Sequence, residues 1–159
     1  MSRVQVTTLV EECPLDEAET RRIVEAALAH GGSSGLRVGV IFAADELMVE
    51  LHGEYLDDPT PTDVITFDLR DGESLAAALP EDLLPLEAEL YVGVQEARRV
   101  AEVRGVDWAR ELALYVTHGV LHLCGFDDHT QEDSAAMRAA EVAVMRALGY
   151  PDDELPHHM

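Results

Sequence analysis

A pair of histidines with acidic and imidazole neighbours is the part of this chain best suited to chemistry. His118 and His122 are four residues apart, and the residues just before them, Arg110 to Val116, are good helix formers. On a helix the two rings leave the same face about one turn apart. Two imidazoles in that arrangement can both reach one ion at about 2.0–2.1 Å. The spacing therefore predicts a metal site.

The residues after this helix offer a third ligand. Gly125 can adopt the left-handed conformation that commonly ends a helix, and the turn would carry Asp127, Asp128 and His129 back over the histidine face. Three protein ligands leave one coordination position for water, as in catalytic zinc sites. Gly119 stands where peptidases of the His-Glu-x-x-His type place their general base, so a peptidase mechanism is not predicted.

Three segments resemble one known family. The stretch from His118 to His129 is similar to the signature of the YbeY family, bacterial zinc-dependent endoribonucleases of ribosomal RNA maturation and ribosome quality control. Tyr55 to Phe67 resembles the family's segment ending in Pro-Thr-Asp-Val-Leu-Ser-Phe, and Glu89 to Val94 resembles its strand with an acidic start. The resemblance implies a zinc metalloprotease-like fold and one bound Zn²⁺. It also implies ribosomal RNA and small-subunit ribosomal proteins as partners.

Two departures from the family pattern affect what the resemblance implies. Leu56 stands where the family most often has an arginine that serves the RNA phosphate. In the metal motif, an ungapped count from His118 puts Asp128 at the position of the third histidine ligand, and His129 follows one residue later. Either residue could complete the site, and the ungapped count favours Asp128.

Motif position also suggests roles for two carboxylates. Glu89 is predicted to lie beside the metal-bound water, and Asp63 to hold a ligand imidazole from outside the metal shell. Their alternatives are a solvated edge residue for Glu89 and a turn cap for Asp63. Four arginines form the one local gathering of cations and are predicted to contact RNA phosphates, with helix-surface ion pairs as the alternative: Arg98, Arg99, Arg104 and Arg110.

The charge of the chain is unusual for a protein that acts on RNA. Its formal net charge is −21, with 32 acidic residues, and all 11 of its Lys+Arg residues are arginines. Nucleic-acid-binding proteins ordinarily carry a basic face. Acidity spread along the whole chain is typical of halophilic proteins, in which high salt screens the repulsion. The alternative is an ordinary acidic protein that does not touch RNA.

Length and composition favour one domain over residues 1–150, followed by a tail at 151–159. A chain of 159 residues with 47% hydrophobic content can bury a real core. No apolar run approaches the roughly 20 residues that span a bilayer, and the first residues do not resemble a signal peptide. We therefore expect a cytoplasmic protein. Two cysteines, Cys13 and Cys124, do not suggest a disulfide framework, and we expect Cys124 to be a core residue.

Hydrophobic periodicity predicts an α+β domain: a sheet of about four strands with helices packed on it. A metal cleft is expected where the ligand helix meets the sheet edge. The predicted strands are 4–10, 36–42, 64–67 and 89–94, and the predicted helices are 16–30, 44–55, 95–104, 108–124 and 130–148. The acidic segment 71–87, which contains Pro80 and Pro85, is predicted to be a surface loop or short hairpin.

The predicted metal ligands together with the resemblance to the YbeY family imply a zinc-dependent endoribonuclease that cleaves single-stranded RNA during ribosomal RNA maturation. A zinc ion would lower the pKa of its bound water toward 7 and make hydroxide available near neutral pH. Two other classes stay open: a ribosome-assembly factor in which zinc is structural, and a metal-dependent hydrolase of another substrate.

Overall fold

Four strands and five helices make up the part of the chain that the computed structural model describes, residues 3–56, 63–70, 86–127 and 129–151. The strands are β1 (Arg3–Thr8), β2 (Arg37–Ala43), β3 (Val64–Asp68) and β4 (Ala88–Gly93). The helices are α1 (Glu17–His30), α2 (Asp45–Leu56), α3 (Val94–Arg104), α4 (Trp108–Leu123) and α5 (Gln131–Leu148). The predicted α+β class is confirmed, with every bound within two residues of its prediction. Most of the predicted loop at 71–87 lies outside the described residues.

The strands form one mixed sheet in the order β1-β2-β4-β3. β1, β2 and β4 are parallel, whereas β3 runs antiparallel to β4 and occupies an edge. Successive side chains of a strand point to opposite faces. On one face Val40, Leu90 and Val64 belong to the main core with α1, α4 and α5. On the other, Ile65 and Tyr91 pack with Met48 of α2.

Side-chain caps fix where several helices begin. Asp16 accepts a hydrogen bond from the backbone N–H of Glu19 at the start of α1, at 2.7 Å. Thr130 accepts one from the N–H of Asp133 at the start of α5, at 3.0 Å. Each bond satisfies a donor that has no partner within the first turn of a helix. The start of α5 therefore follows directly from the local sequence.

Helix α4 is the central helix of the fold. It packs against α1, α3, α5, β3 and β4, and its residues are buried along almost its whole length. Gly119 lies where α4 comes closest to the sheet. A Cβ atom there would lie 2.6 Å from Cδ2 of Leu90 and 3.0 Å from Cγ2 of Val64. The absence of a side chain at this position thus lets the helix rest directly on β4 and the edge strand β3.

No helix in the described ranges combines the length and the apolar character needed to cross a membrane.

The arginines of the surface helices are largely engaged by neighbouring acids. Arg21 pairs with Glu17 at 3.0 Å on α1, and Arg99 of α3 pairs with Asp45 at 2.7 Å. Exposed pairs of this kind contribute little to stability, about 0–1 kcal/mol each. The chain has 32 acidic residues and only 11 arginines, so acidic charges far outnumber the basic charges that could pair with them. The folded state therefore carries a large unbalanced repulsion.

We expect the protein to be more stable in concentrated salt. Screening weakens repulsion more in the compact state than in the unfolded chain, so molar potassium chloride should raise the melting temperature. An increase of about 4–8 °C, which corresponds to roughly 2 kcal/mol, is the expected size for a chain of this length. The double variant Glu25→Gln/Glu50→Gln, which removes two exposed charges, should show a smaller increase. A melting temperature that is flat or falls with salt would contradict the halophilic interpretation.

Candidate metal centre

The two predicted ligand histidines lie in the C-terminal half of α4. His118 and His122 are four residues apart in one continuous helix, so their side chains leave the same face. The His118 side chain is 21% exposed, and His122 lies at the surface. The face they share is thus open to solvent at the end of the fold where α4 passes the edge strand β3.

A buried carboxylate from a different helix holds the first histidine. Nδ1 of His118 lies 2.5 Å from Oε2 of Glu141, which belongs to α5 and whose side chain is only 5% exposed. A carboxylate accepts hydrogen bonds, so this contact favours the tautomer with the proton on Nδ1, in which Nε2 is the nitrogen that can bind a metal ion. Histidines that bind metals are commonly held in this way through the other ring nitrogen. Glu141 thus holds the ring of His118 in the manner common for metal-binding histidines.

Glu141 was not among the residues predicted from the sequence, although a signal for it exists. Every third or fourth residue of α5 is buried: Met137, Ala140, Glu141, Val144, Met145 and Leu148. A glutamate in an otherwise apolar stripe is costly to bury without a polar partner. Its presence there indicates a partner on the facing helix, but only the packing of α5 on α4 identifies that partner as His118.

The two residues predicted as candidates for a third ligand follow the end of α4. Asp128 lies outside the described residues. His129 is 80% exposed, and its Nε2 lies 3.3 Å from Oδ2 of Asp127. Gly125, which precedes them, has the positive φ expected of a residue that ends a helix, +103°. In the ranges that the structure describes, no third His, Cys, Asp or Glu side chain gathers with His118 and His122 into a site for a metal ion.

Asp63 directly precedes the edge strand β3. Its Oδ1 accepts a hydrogen bond from the backbone N–H of Val64 at 2.7 Å. Burial raises the pKa of Tyr115, three residues before His118, and the charges of Glu111 and Asp63 raise it further. Asp63 therefore lies near the ligand helix. For His118, however, the imidazole-holding role that we predicted for Asp63 is filled by Glu141.

Glu89 lies on the other side of the sheet. Its neighbour Leu90 faces Gly119 of α4, and the alternation of strand side chains puts Glu89 on the opposite face. The cross-strand partner of Glu89 in β3 is Phe67, whose ring packs against Tyr91 on the α2 side. The structure thus does not bring Glu89 and the histidines together on one face.

The packing around residue 119 explains why this helix has a glycine, and not a glutamate, directly after its first histidine. The Cβ position of residue 119 points at Leu90 and Val64 in the core, away from solvent. A glutamate here would place a carboxylate between the helix and the sheet. The peptidase-type general base is therefore excluded by packing at this position as well as by sequence.

The four arginines predicted to contact RNA do not form one exposed basic patch. Two of them are buried or half-buried. Arg110 is only 6% exposed, and its Nε donates to the carbonyl oxygen of Pro151 at 2.8 Å. It holds the end of α5 rather than facing solvent. Arg104 is half-buried, close enough to Tyr115 for its charge to lower the pKa of that phenol.

The other two of these arginines are exposed but engaged. Arg98 lies over the ring of Trp108, 5.0 Å from its centroid, and Arg99 makes two hydrogen bonds to Asp45 at 2.7 and 2.9 Å. Trp108 is ten residues before His118 on α4, a separation of about 15 Å along the helix axis. Arg98 therefore lies far from the histidine pair.

Cys124 follows the ligand helix and packs inward. It is half-buried against the main core, and a Cβ atom on Gly31 of α1 would lie 2.4 Å from its Sγ. Cys13 and Cys124 are both free thiols. The position agrees with a packing role for Cys124.

The donors described so far fit a transition-metal ion. Neutral imidazoles bind such ions well, His118 has its second nitrogen fixed by a carboxylate, and His122 offers its ring from the surface one turn away. The geometry defines the class of protein as an α+β domain whose helix α4 presents two imidazoles on one face at the sheet edge.

Comparison with known proteins identifies the family. The model of the Endoribonuclease YbeY family matches residues 5–149. An endoribonuclease YbeY of Desulforamulus reducens is 32% identical over 151 residues, covering 92% of this chain and 97% of that protein. One of Streptococcus sanguinis is 33% identical over 144 residues, covering 82% and 87%. The chain belongs to the YbeY family.

A solved structure has the same fold. The solution structure of TM1509 from Thermotoga maritima aligns with a TM-score of 0.55 and 21% sequence identity, covering 98% of this chain and 100% of that one. At this level of identity, the likeness concerns the fold.

Proposed function

We propose that this chain is a metal-dependent endoribonuclease that cleaves single-stranded RNA in the maturation of ribosomal RNA. The observation that carries the proposal is the hydrogen bond between buried Glu141 and Nδ1 of His118, which favours the tautomer in which Nε2 is the nitrogen that binds a metal ion. Membership of a family whose relatives are named endoribonucleases supports the choice of RNA as substrate. Ribosomal RNA and proteins of the small ribosomal subunit are the proposed partners, and the cytoplasm the proposed location.

We propose zinc as the ion, held by His118, His122 and Asp128. A zinc ion supplies a bound water of lowered pKa and a centre that polarises a phosphoryl oxygen. The chain's own contribution is orientation: α4 sets the spacing of the imidazoles, and Glu141 fixes the tautomer and ring plane of His118. The open surface around His122 gives an extended polyanion access to the site.

The choice of Asp128 over His129 leads to a direct test. His129 is turned to solvent and pairs with Asp127, which supports Asp128 as the third ligand. Zinc titrations should show a large loss of affinity for Asp128→Ala and little change for His129→Ala, with Asp127→Asn as a control. A large loss confined to His129→Ala would reverse the assignment.

The experiment that tests the proposed function is RNA cleavage before and after chelation. Purified protein loaded with one equivalent of zinc should cleave a labelled single-stranded RNA and should spare the same sequence in a duplex. Removal of the metal should abolish cleavage, and added zinc should restore it. Cleavage that survives full chelation, or no cleavage by protein shown to hold zinc, would overturn the proposal.

One observation favours a second candidate, an assembly factor that does not cleave RNA. The four arginines predicted to contact RNA are buried, half-buried or engaged with other side chains in the described structure. An assembly factor would bind ribosomal proteins with or without zinc and would cleave no RNA in the assay above.

A further inference from the structure

Arg70 donates a hydrogen bond to the end of the ligand helix α4, although it is not one of the four arginines predicted to contact RNA. Arg70 follows the edge strand β3, and its Nη2 donates to the carbonyl oxygen of Leu123 at 2.9 Å. Leu123 is the last residue of α4 and directly follows His122. The guanidinium thus lies at the C-terminal end of the helix that carries both histidines.

The carboxylate of Asp68 binds the Arg70 guanidinium along its Nε–Nη2 edge. Nε and Nη2 of Arg70 donate to Oδ1 and Oδ2 of Asp68 at 2.9 and 2.6 Å. The bonds to Asp68 and Leu123 use the Nε–Nη2 side of the group. Among the described residues, the two N–H donors of Nη1 have no hydrogen-bond partner. The Arg70 side chain is 37% exposed, so that side of the group is accessible to a ligand.

We propose that Arg70 binds a phosphate of the RNA strand next to the metal centre. This proposal rests on the proposed function. The two N–H groups of Nη1 can donate to phosphate oxygens, and a guanidinium already held in place by Asp68 and Leu123 loses little side-chain entropy on binding. A cation is especially needed here, because the net charge of −21 otherwise repels a polyanion.

The position of Arg70 distinguishes it from the other arginines. Arg98 and Arg99 lie on α3 and pair with acidic residues, and Arg98 also lies over Trp108, which is about 15 Å along α4 from His118. Arg70 contacts the last turn of α4 itself. An RNA strand that reaches a metal ion at His122 would pass Arg70 at the same end of the helix.

The test compares Arg70→Gln with Arg21→Gln in zinc-loaded protein. Arg21 is the matched control, because it is similarly exposed at 41% and also pairs with a carboxylate, that of Glu17 on α1. Arg70→Gln should raise the KM for a single-stranded RNA by about 10-fold and change kcat much less, since a contact to a phosphate other than the one being cleaved contributes mainly to binding. Arg70→Lys, which keeps the charge but loses the planar group held by Asp68 and Leu123, should fall between Arg70→Gln and the unmodified protein.

Salt dependence separates a phosphate contact from a purely structural role. Each phosphate contact with a single strand contributes about 0.7 to the slope of log affinity against log salt concentration. The slope of Arg70→Gln should therefore be shallower by about 0.7, and that of Arg21→Gln unchanged. Zinc content should stay at one equivalent in both variants.

Three results would overturn the inference. Unchanged KM and salt slope in Arg70→Gln, while the unmodified protein cleaves RNA, would refute it alone. Loss of zinc or a lower kcat at unchanged KM would show that Arg70 only caps α4. Failure of the zinc-loaded unmodified protein to bind or cleave RNA would refute both this inference and the proposed function.

Discussion

His122→Ala is expected to abolish zinc binding while leaving the metal-free protein as stable as before, whereas His118→Ala is expected to lose both zinc and stability. Either variant removes one imidazole from the site, so the loss of affinity should exceed the about 10–100-fold typical of removing an outer partner. The two histidines differ in their surroundings. His122 lies at the surface, but His118 is the partner of a glutamate that is only 5% exposed.

Removal of the His118 ring would leave the Glu141 carboxylate buried without this partner. A buried polar group that loses its partner costs about 1–3 kcal/mol, and more if it is charged. For a chain of this length, each kcal/mol lowers the melting temperature by about 2–4 °C. The metal-free His118→Ala protein should therefore melt several degrees below metal-free His122→Ala.

The measurement combines zinc content by atomic spectroscopy with thermal unfolding of the chelated proteins. The double variant His118→Ala/Glu141→Gln serves as a control, because a neutral amide costs less to bury than a carboxylate and should recover part of the lost stability. Full zinc occupancy in both single variants would show that the metal centre is elsewhere. Equal melting temperatures would show that the Glu141 contact contributes nothing to folding.

Substitution of Glu141 should weaken zinc binding although Glu141 does not itself ligate. The carboxylate fixes Nδ1–H of His118 and raises the basicity of the ring, so its removal should cost about 10–100-fold in metal affinity. We expect Glu141→Gln near the lower limit, since an amide oxygen still accepts the hydrogen bond, and Glu141→Ala near the upper. Glu102→Gln, at an exposed position on α3, should match the unmodified protein.

Competition with a chromophoric chelator would give the zinc affinities, and the absorption bands of the cobalt-substituted protein would report the ligand geometry. A positioning role predicts altered cobalt bands in Glu141→Ala together with the lower affinity. Unchanged affinity in both variants would contradict the positioning role, even if the variants were less stable.

Several features of this protein follow from the sequence because they depend on nearby residues. The helices and strands have apolar patterns of the right period, and Thr130 caps α5 through a residue three positions away. The pairing of His118 with His122 on one face needs only the helical spacing. The positive φ of Gly125 likewise follows from its place just after a helix.

The partners of these local features were decided by the tertiary structure. Glu141 is 23 residues from His118, and Arg70 is 53 residues from the Leu123 carbonyl it contacts. The face on which Glu89 lies depends on the register of β4 between β2 and β3. From its position in the motif we predicted that Glu89 lies beside the metal-bound water. The alternation of side chains along β4 instead puts Glu89 on the face of the sheet opposite α4.

The burial of Arg110 could not be predicted from the sequence, because its partner is also distant along the chain. Arg110 looked like part of a basic cluster, yet α5 ends beside it and Pro151 accepts its hydrogen bond. The sequence by itself determined the elements, their caps and the two histidines on one helix face, because those depend on interactions within one or two turns. Only the tertiary structure decided which carboxylate holds the imidazole and which arginine reaches the end of the ligand helix, because those contacts join residues brought together by core packing.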